Sequence, residues 1–118
     1  LTEIARDRDS AVRYWAAIGF LNHDAEIVTA NEKLIMSLLQ DGSPSVQIVA
    51  AECLGARGGE EARAKALATL KTLAPPKANG VLVSMNALSA IEALGPRAQS
   101  LHEFVANLDQ NGPMPDGR

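Results

Sequence analysis

The chain has 118 residues, 47% of them hydrophobic, 21% charged and only 3% aromatic, with a formal net charge of −3. That length suits one domain with a core of its own, and the negative balance argues against a phosphate-binding surface, because nucleic-acid affinity rests on Lys and Arg. A single cysteine excludes an internal disulfide and a cysteine-based zinc site, and no apolar run reaches the roughly 18 residues of a membrane span.

The first element begins at Leu1 rather than Met, as an excised or processed piece would. "LTEIAR" (1–6) reads as the end of a helix whose start lies upstream. Asp9 or Ser10 then caps a helix over 10–22 by accepting from a free N–H of its first turn. Val12, Trp15, Ala16, Gly19 and Phe20 form one apolar stripe of that helix, and Ala11, Tyr14, Ile18 and Leu21 form a second. A helix apolar on two faces packs between neighbours, so the adjacent Tyr14 and Trp15 are expected to be split, one ring to each face. A contiguous apolar patch of several hundred Å2 marks an interaction site. With its upstream neighbour absent, at least one of the two rings is expected to be partly exposed or covered by another chain.

A second helix is predicted over 25–40 on Ile27, Ala30, Leu34 and Leu38, ended by "DGSPS" (41–45). Ser43 as N-cap and Pro44 at the first helical position open a third over 44–55. Its stripe is Val46, Val49, Ala50, Cys53 and Leu54, and Gly55, Gly58 and Gly59 stop it. Glu60 and Glu61 suit the positive end of a helix over 60–74. "PPKANG" (75–80) breaks the chain before a helix over 81–94, with Leu88, Ile91 and Leu94 inward. Gly95 and Pro96 lead into a last helix, 96–108, with Leu101, Phe104, Val105 and Leu108 as its stripe, and 109–118 reads as a tail. No strand signal occurs.

The segments "DSAVRYWAAIGFL" and "SPSVQIVAAECLG" superpose when Asp7 falls on Asp41 and Val12 on Val46; "AAECLG" and "AIEALG" superpose when Ala50 falls on Ala90 and Gly55 on Gly95. Two helices recurring every 30–45 residues or so are the sign of an α-solenoid, in which each unit completes its core against the next. The expected fold is all-α: a right-handed superhelix of about three and a half hairpins, with units near 1–22, 25–55, 60–94 and 96–108, together one domain over 1–108.

The pattern resembles HEAT repeats within the HEAT/armadillo-like class. That family places an Asp in the turn between its helices, a Val five residues on and then a basic residue; Asp7, Val12 and Arg13 match all three. Asp41 and Val46 match two, with Gln47 at the basic position, and the third unit has Asn86 where Val belongs. "AVRYWAAIGF" and "NALSAIEALGPRAQSL" are similar to the helical C-terminal extension that follows the catalytic domain of many bacterial sulfatases. The resemblance implies an accessory piece of a sulfatase, periplasmic or secreted. The alternative is a stand-alone, cytoplasmic HEAT-repeat adaptor of the kind seen in HEAT-like bilin lyases. HEAT-like DNA glycosylases use broad basic faces, which a chain at −3 does not offer.

Chemistry-bearing residues are sparse. "CLGAR" (53–57) departs from the sulfatase Cys-x-Pro/Ala-x-Arg motif at Gly55, and Cys53 lies on an apolar stripe, so it is expected buried and inert. "DGSPS" fits an Asp-x-Ser-x-Ser metal motif but lacks the strand that motif needs, and reads as a helix cap. His23 and His102 have no second ligand at helical spacing, and Gly58-Gly59 lacks the Lys-Ser/Thr of a phosphate loop. Asn86 is expected to bond a neighbouring turn's backbone. Arg6, Arg8 and Arg13, alternating with Asp7 and Asp9, form an ion network with an Asp-to-Arg tie across the repeat turn, or a patch for an anionic group. Arg6, Arg8, Arg13, Tyr14 and Trp15 are therefore the candidate interaction surface, with no catalytic residue, cofactor or metal expected. The expected partner is protein, either the upstream domain of the parent chain or another molecule, and neither nucleic acid nor membrane.

Overall fold

A computed structural model describes residues 2–111. The helices are α1 (Thr2–Ala5), α2 (Ser10–Leu21), α3 (Ala25–Ala30), α4 (Glu32–Ser37), α5 (Pro44–Arg57), α6 (Glu60–Leu73), α7 (Pro76–Asn79), α8 (Val81–Leu94) and α9 (His102–Asn111). Two 3-10 stretches, Leu38–Gln40 and Gly95–Leu101, complete the regular structure, and no strand occurs among the described residues. The molecule is an all-α repeat solenoid, 45 × 30 × 19 Å. Helices α2, α5 and α8 lie side by side in one row. A second row, with α4 beside α6, packs against it, and α5 touches α2, α8, α4 and α6.

That central place explains its composition. Val46, Ile48, Val49, Ala50, Ala51, Cys53 and Leu54 are all buried, because α5 has neighbours on both sides and behind. Small residues let the row close up: Ala16 and Ala17 of α2 and Ala50 and Ala51 of α5 are almost fully buried. Phe20, Leu54, Leu70 and Ile35 fill the space between the rows.

The ends follow local chemistry. Asp9 caps α2, its Oδ1 accepting from the Ala11 N–H at 2.8 Å. Asp24 does the same for α3, accepting from the Ile27 N–H. Gly80 (φ 85°) and Gly95 (φ 55°) flank α8 in the left-handed region that other residues rarely adopt.

Several boundaries differ from the sequence reading. The helix predicted over 25–40 is three pieces. Asn31 has φ −116°, and its Nδ2 donates to the Ile27 carbonyl, competing with the helix for that acceptor. Ser43 stands at the N-cap of α5 but its hydroxyl makes no capping bond; Asp41 Oδ1 instead accepts from the Ser43 N–H at 2.8 Å. Helix α5 runs through Gly55 and stops at Gly58. A Cβ on Gly55 would lie 2.7 Å from Leu94 Cδ1, so this glycine is the contact point of α5 with α8 rather than a stop. One turn of helix, α7, forms inside the predicted break at 75–80. The last helix begins as 3-10 and runs to Asn111, past the predicted end at 108, so the tail read from 109 starts inside it; residues 112–118 lie outside the described residues.

Candidate functional site

A groove of about 520 Å3 runs across α2, α5 and α8. Tyr14, Trp15 and Ile18 form its α2 wall and Ile48 and Val49 its apolar floor, while Ser45, Glu52 and Asn86 supply polar atoms. Trp15 is 68% exposed. Its ring meets Tyr14 edge-on, with centroids 6.0 Å apart and planes at 74°. Both rings line this one groove, where the sequence reading divided them between two faces. Tyr14 is half-buried and packs against the core, whereas Trp15 stands away from Ala16, Ala17 and Phe20, the side of α2 that the core occupies.

Among the described residues, Glu52 is the one charged residue of the groove lining. Its carboxyl is half-buried, makes no hydrogen bond or ion pair among the described residues, and is pushed above the usual glutamate range by burial. The sequence offered only a weak signal for it, one acid inside the otherwise apolar run "IVAAECLG".

The predicted arginines do not join this surface. Arg13 Nε donates to Asp41 Oδ2 at 2.6 Å and Nη2 to Oδ1 at 3.0 Å, a two-pronged pair reaching from the first unit to the turn of the second. Its Nη1 donates to the carbonyls of Asp7 and Arg8 at 2.9 and 2.8 Å. The hydrogen bond from Arg13 holds the Asp41 carboxyl below its ordinary range, with the Ser43 N–H adding to it. These four hydrogen bonds make Arg13 a tie between the first repeat and the turn of the second. Arg6 and Arg8 are exposed, and Arg6 borders a separate depression of about 460 Å3 beside Thr29 and Lys33.

Other polar residues are structural. Ser84, not Asn86, bonds the neighbouring backbone: its hydroxyl, buried, donates to the Ala74 carbonyl, whereas Asn86 is exposed on the groove. Arg57 Nη1 donates to the Leu21 carbonyl at 2.9 Å and Arg63 Nε to the Gly55 carbonyl at 2.9 Å, each closing a helix end from a neighbouring element. Cys53 is fully buried, and burial pushes its thiol up to about 11. His23 and His102 are both exposed, and no group of three or more His, Cys, Asp or Glu suited to a metal ion occurs among the described residues.

A family model described as HEAT repeats matches residues 1–94. No curated protein and no solved structure matches the chain.

Proposed function

The chain belongs to the HEAT-repeat family, and from that premise we propose that it is a non-catalytic protein-docking module whose working surface is the groove along α2, α5 and α8. HEAT repeats generally mediate protein interactions. The observation that carries the proposal is Trp15: a large aromatic side chain, 68% exposed, at the wall of a groove with an apolar floor, in a chain with very few aromatics. Trp and Tyr are the residues that most often anchor protein interfaces, because a rigid ring supplies contact area at small entropic cost. The test is photo-crosslinking in the native cell, with a benzophenone amino acid replacing Trp15 in one variant and the exposed Ala68 of the second row in another. Protein adducts from position 15 and none from position 68 support the groove. Equal adducts from both rows, or adducts from position 68 alone, refute it.

The parent context that fits this module is the C-terminal extension of a bacterial sulfatase, supported by the likeness of "AVRYWAAIGF" to that extension. The residues encoded before Leu1 decide it: a Cys-x-Pro-x-Arg motif there establishes the sulfatase, and further helical repeats establish the adaptor.

A further inference from the structure

We propose that the groove binds a cationic, apolar segment of a protein partner, with a Lys or Arg of that segment seated on Glu52 and its large apolar side chains against Trp15 and Ile48. The inference rests on the reading of the groove as a docking surface and adds the chemistry of the occupant. Three observations carry it. First, among the described residues the lining holds one charged group, and it is a carboxylate. Second, the cations of the flanking helices are engaged elsewhere: Arg13 is bound to Asp41, and Arg57 donates to the Leu21 carbonyl. Third, Glu52 is half-buried with no partner among the described residues.

An apolar or acidic segment laid over the groove would strip water from that carboxylate and return nothing, and a neutral donor would return a hydrogen bond without a countercharge. A Lys or Arg returns a charge-assisted hydrogen bond in a site already partly shielded from solvent. The exposed face of Trp15 favours the same sign, since the ring quadrupole attracts an ammonium or guanidinium. Burial holds the Glu52 carboxyl above its ordinary range, so an incoming cation also stabilises the ionised form.

The experiment uses three fluorescein-labelled helix-patterned peptides of about four turns, built from Leu and Lys, Leu and Glu, or Ser and Lys. Binding to the whole chain is read by anisotropy at near-physiological salt. The emission of Trp15, the single tryptophan, is followed in parallel with unlabelled peptide. The Leu-Lys peptide is expected to bind and shift Trp15 to the blue, with the other two at least about tenfold weaker. Glu52→Gln should weaken Leu-Lys binding about tenfold, and Glu52→Lys should reverse the preference toward Leu-Glu. Glu92→Gln is the control, because it removes the same charge from an exposed site outside the groove lining. Circular dichroism checks that each variant is folded.

Equal losses from Glu92→Gln and Glu52→Gln would mean attraction to net charge alone, and the proposal falls. If Leu-Lys and Leu-Glu bind alike and both are lost with Trp15→Ala, the groove docks proteins but the assigned charge is wrong. If no peptide binds and sedimentation shows concentration-dependent self-association that Trp15→Ala abolishes, the occupant is a second copy and the proposal is overturned. Absence of both binding and self-association overturns it as well.

Discussion

Gly55→Ala probes the closest approach of α5 and α8, and the outcome depends on one neighbour. The added methyl would lie 2.7 Å from Leu94 Cδ1 and 3.1 Å from Cδ2, against an ordinary carbon–carbon contact of about 3.5–4.0 Å. Leu94 is itself buried, so it has little room to move. Overpacking of this kind costs about 1–3 kcal/mol, while Ala in place of a mid-helix Gly returns about 1 kcal/mol. The single variant is therefore expected to lose about 1 kcal/mol. Leu94→Ala alone should lose about 2–4 kcal/mol by leaving a void. In the double variant the new methyl enters that void, the clash disappears, and Gly55→Ala becomes stabilising by about 1 kcal/mol. The cycle thus predicts a coupling of about 2 kcal/mol, measured by urea unfolding followed by circular dichroism at equal protein concentration. Additivity to within about 0.5 kcal/mol, the usual result for sites without contact, would refute the close packing of α5 on α8.

Cys53 should react with a thiol reagent only after unfolding, because it is buried and its thiol is pushed up to about 11; complete labelling of the native protein within minutes would contradict this. Asp41→Asn should destabilise the chain at neutral pH. Since Arg13 holds the folded-state pKa of Asp41 below its unfolded value, that contribution is full above the usual aspartate range and is lost as pH falls through the depressed value. The gap in urea midpoint between wild type and Asp41→Asn should therefore close on acidification, and a gap that widens would count against the pair. Glu52 has the opposite sign: its folded-state pKa is raised, so wild type loses stability relative to Glu52→Gln as pH rises through the raised value. The variant should be the more stable one at pH 7, and the difference should vanish below the usual glutamate range. A wild type more stable than Glu52→Gln at pH 7 would reveal a partner for the carboxylate within the chain.

The helical architecture was legible because it is local. Apolar spacing, Asp9 before α2, Pro44 at the start of α5 and Gly95 after α8 are all read within a few residues, and each marks a real end. The groove was not legible, because its walls come from separate repeats and local periodicity carries no record of which helix stands opposite. Trp15 shows the difficulty. Counting by threes and fours joins it to Phe20, yet five residues along a helix turn through about 140°, so only one of the two can face the core. Ala16 and Ala17 decide which, since their small side chains admit the close approach of α5 and a ring would not. Gly55 failed as a stop signal for the same reason: Leu94, far along the chain, occupies the space a side chain would need. Arg13 was read within its own turn, whereas its carboxylate partner arrives from the next unit.

The repeat contacts and the groove are one piece of physics, because α2 and α5 serve as both. At their N-terminal ends the helices are joined by the Arg13–Asp41 pair, beside Ser10 and Ser43 of the groove lining. At their C-terminal ends Arg57 of α5 holds the Leu21 carbonyl of α2. Between these ties, Ala16, Ala17, Ala50 and Ala51 are buried and leave little slack. The distance between the α2 wall and the α5 floor is thus fixed before any partner arrives. Binding then need not order the walls, and the cost of about 0.5–1.5 kcal/mol per immobilised side chain falls mainly on the partner and on exposed Trp15. Weakening a tie should loosen the groove without touching its lining, which separates the two roles of these helices. Asp41→Asn is expected to lower stability and weaken docking together, whereas Glu52→Gln raises stability at neutral pH and weakens docking alone.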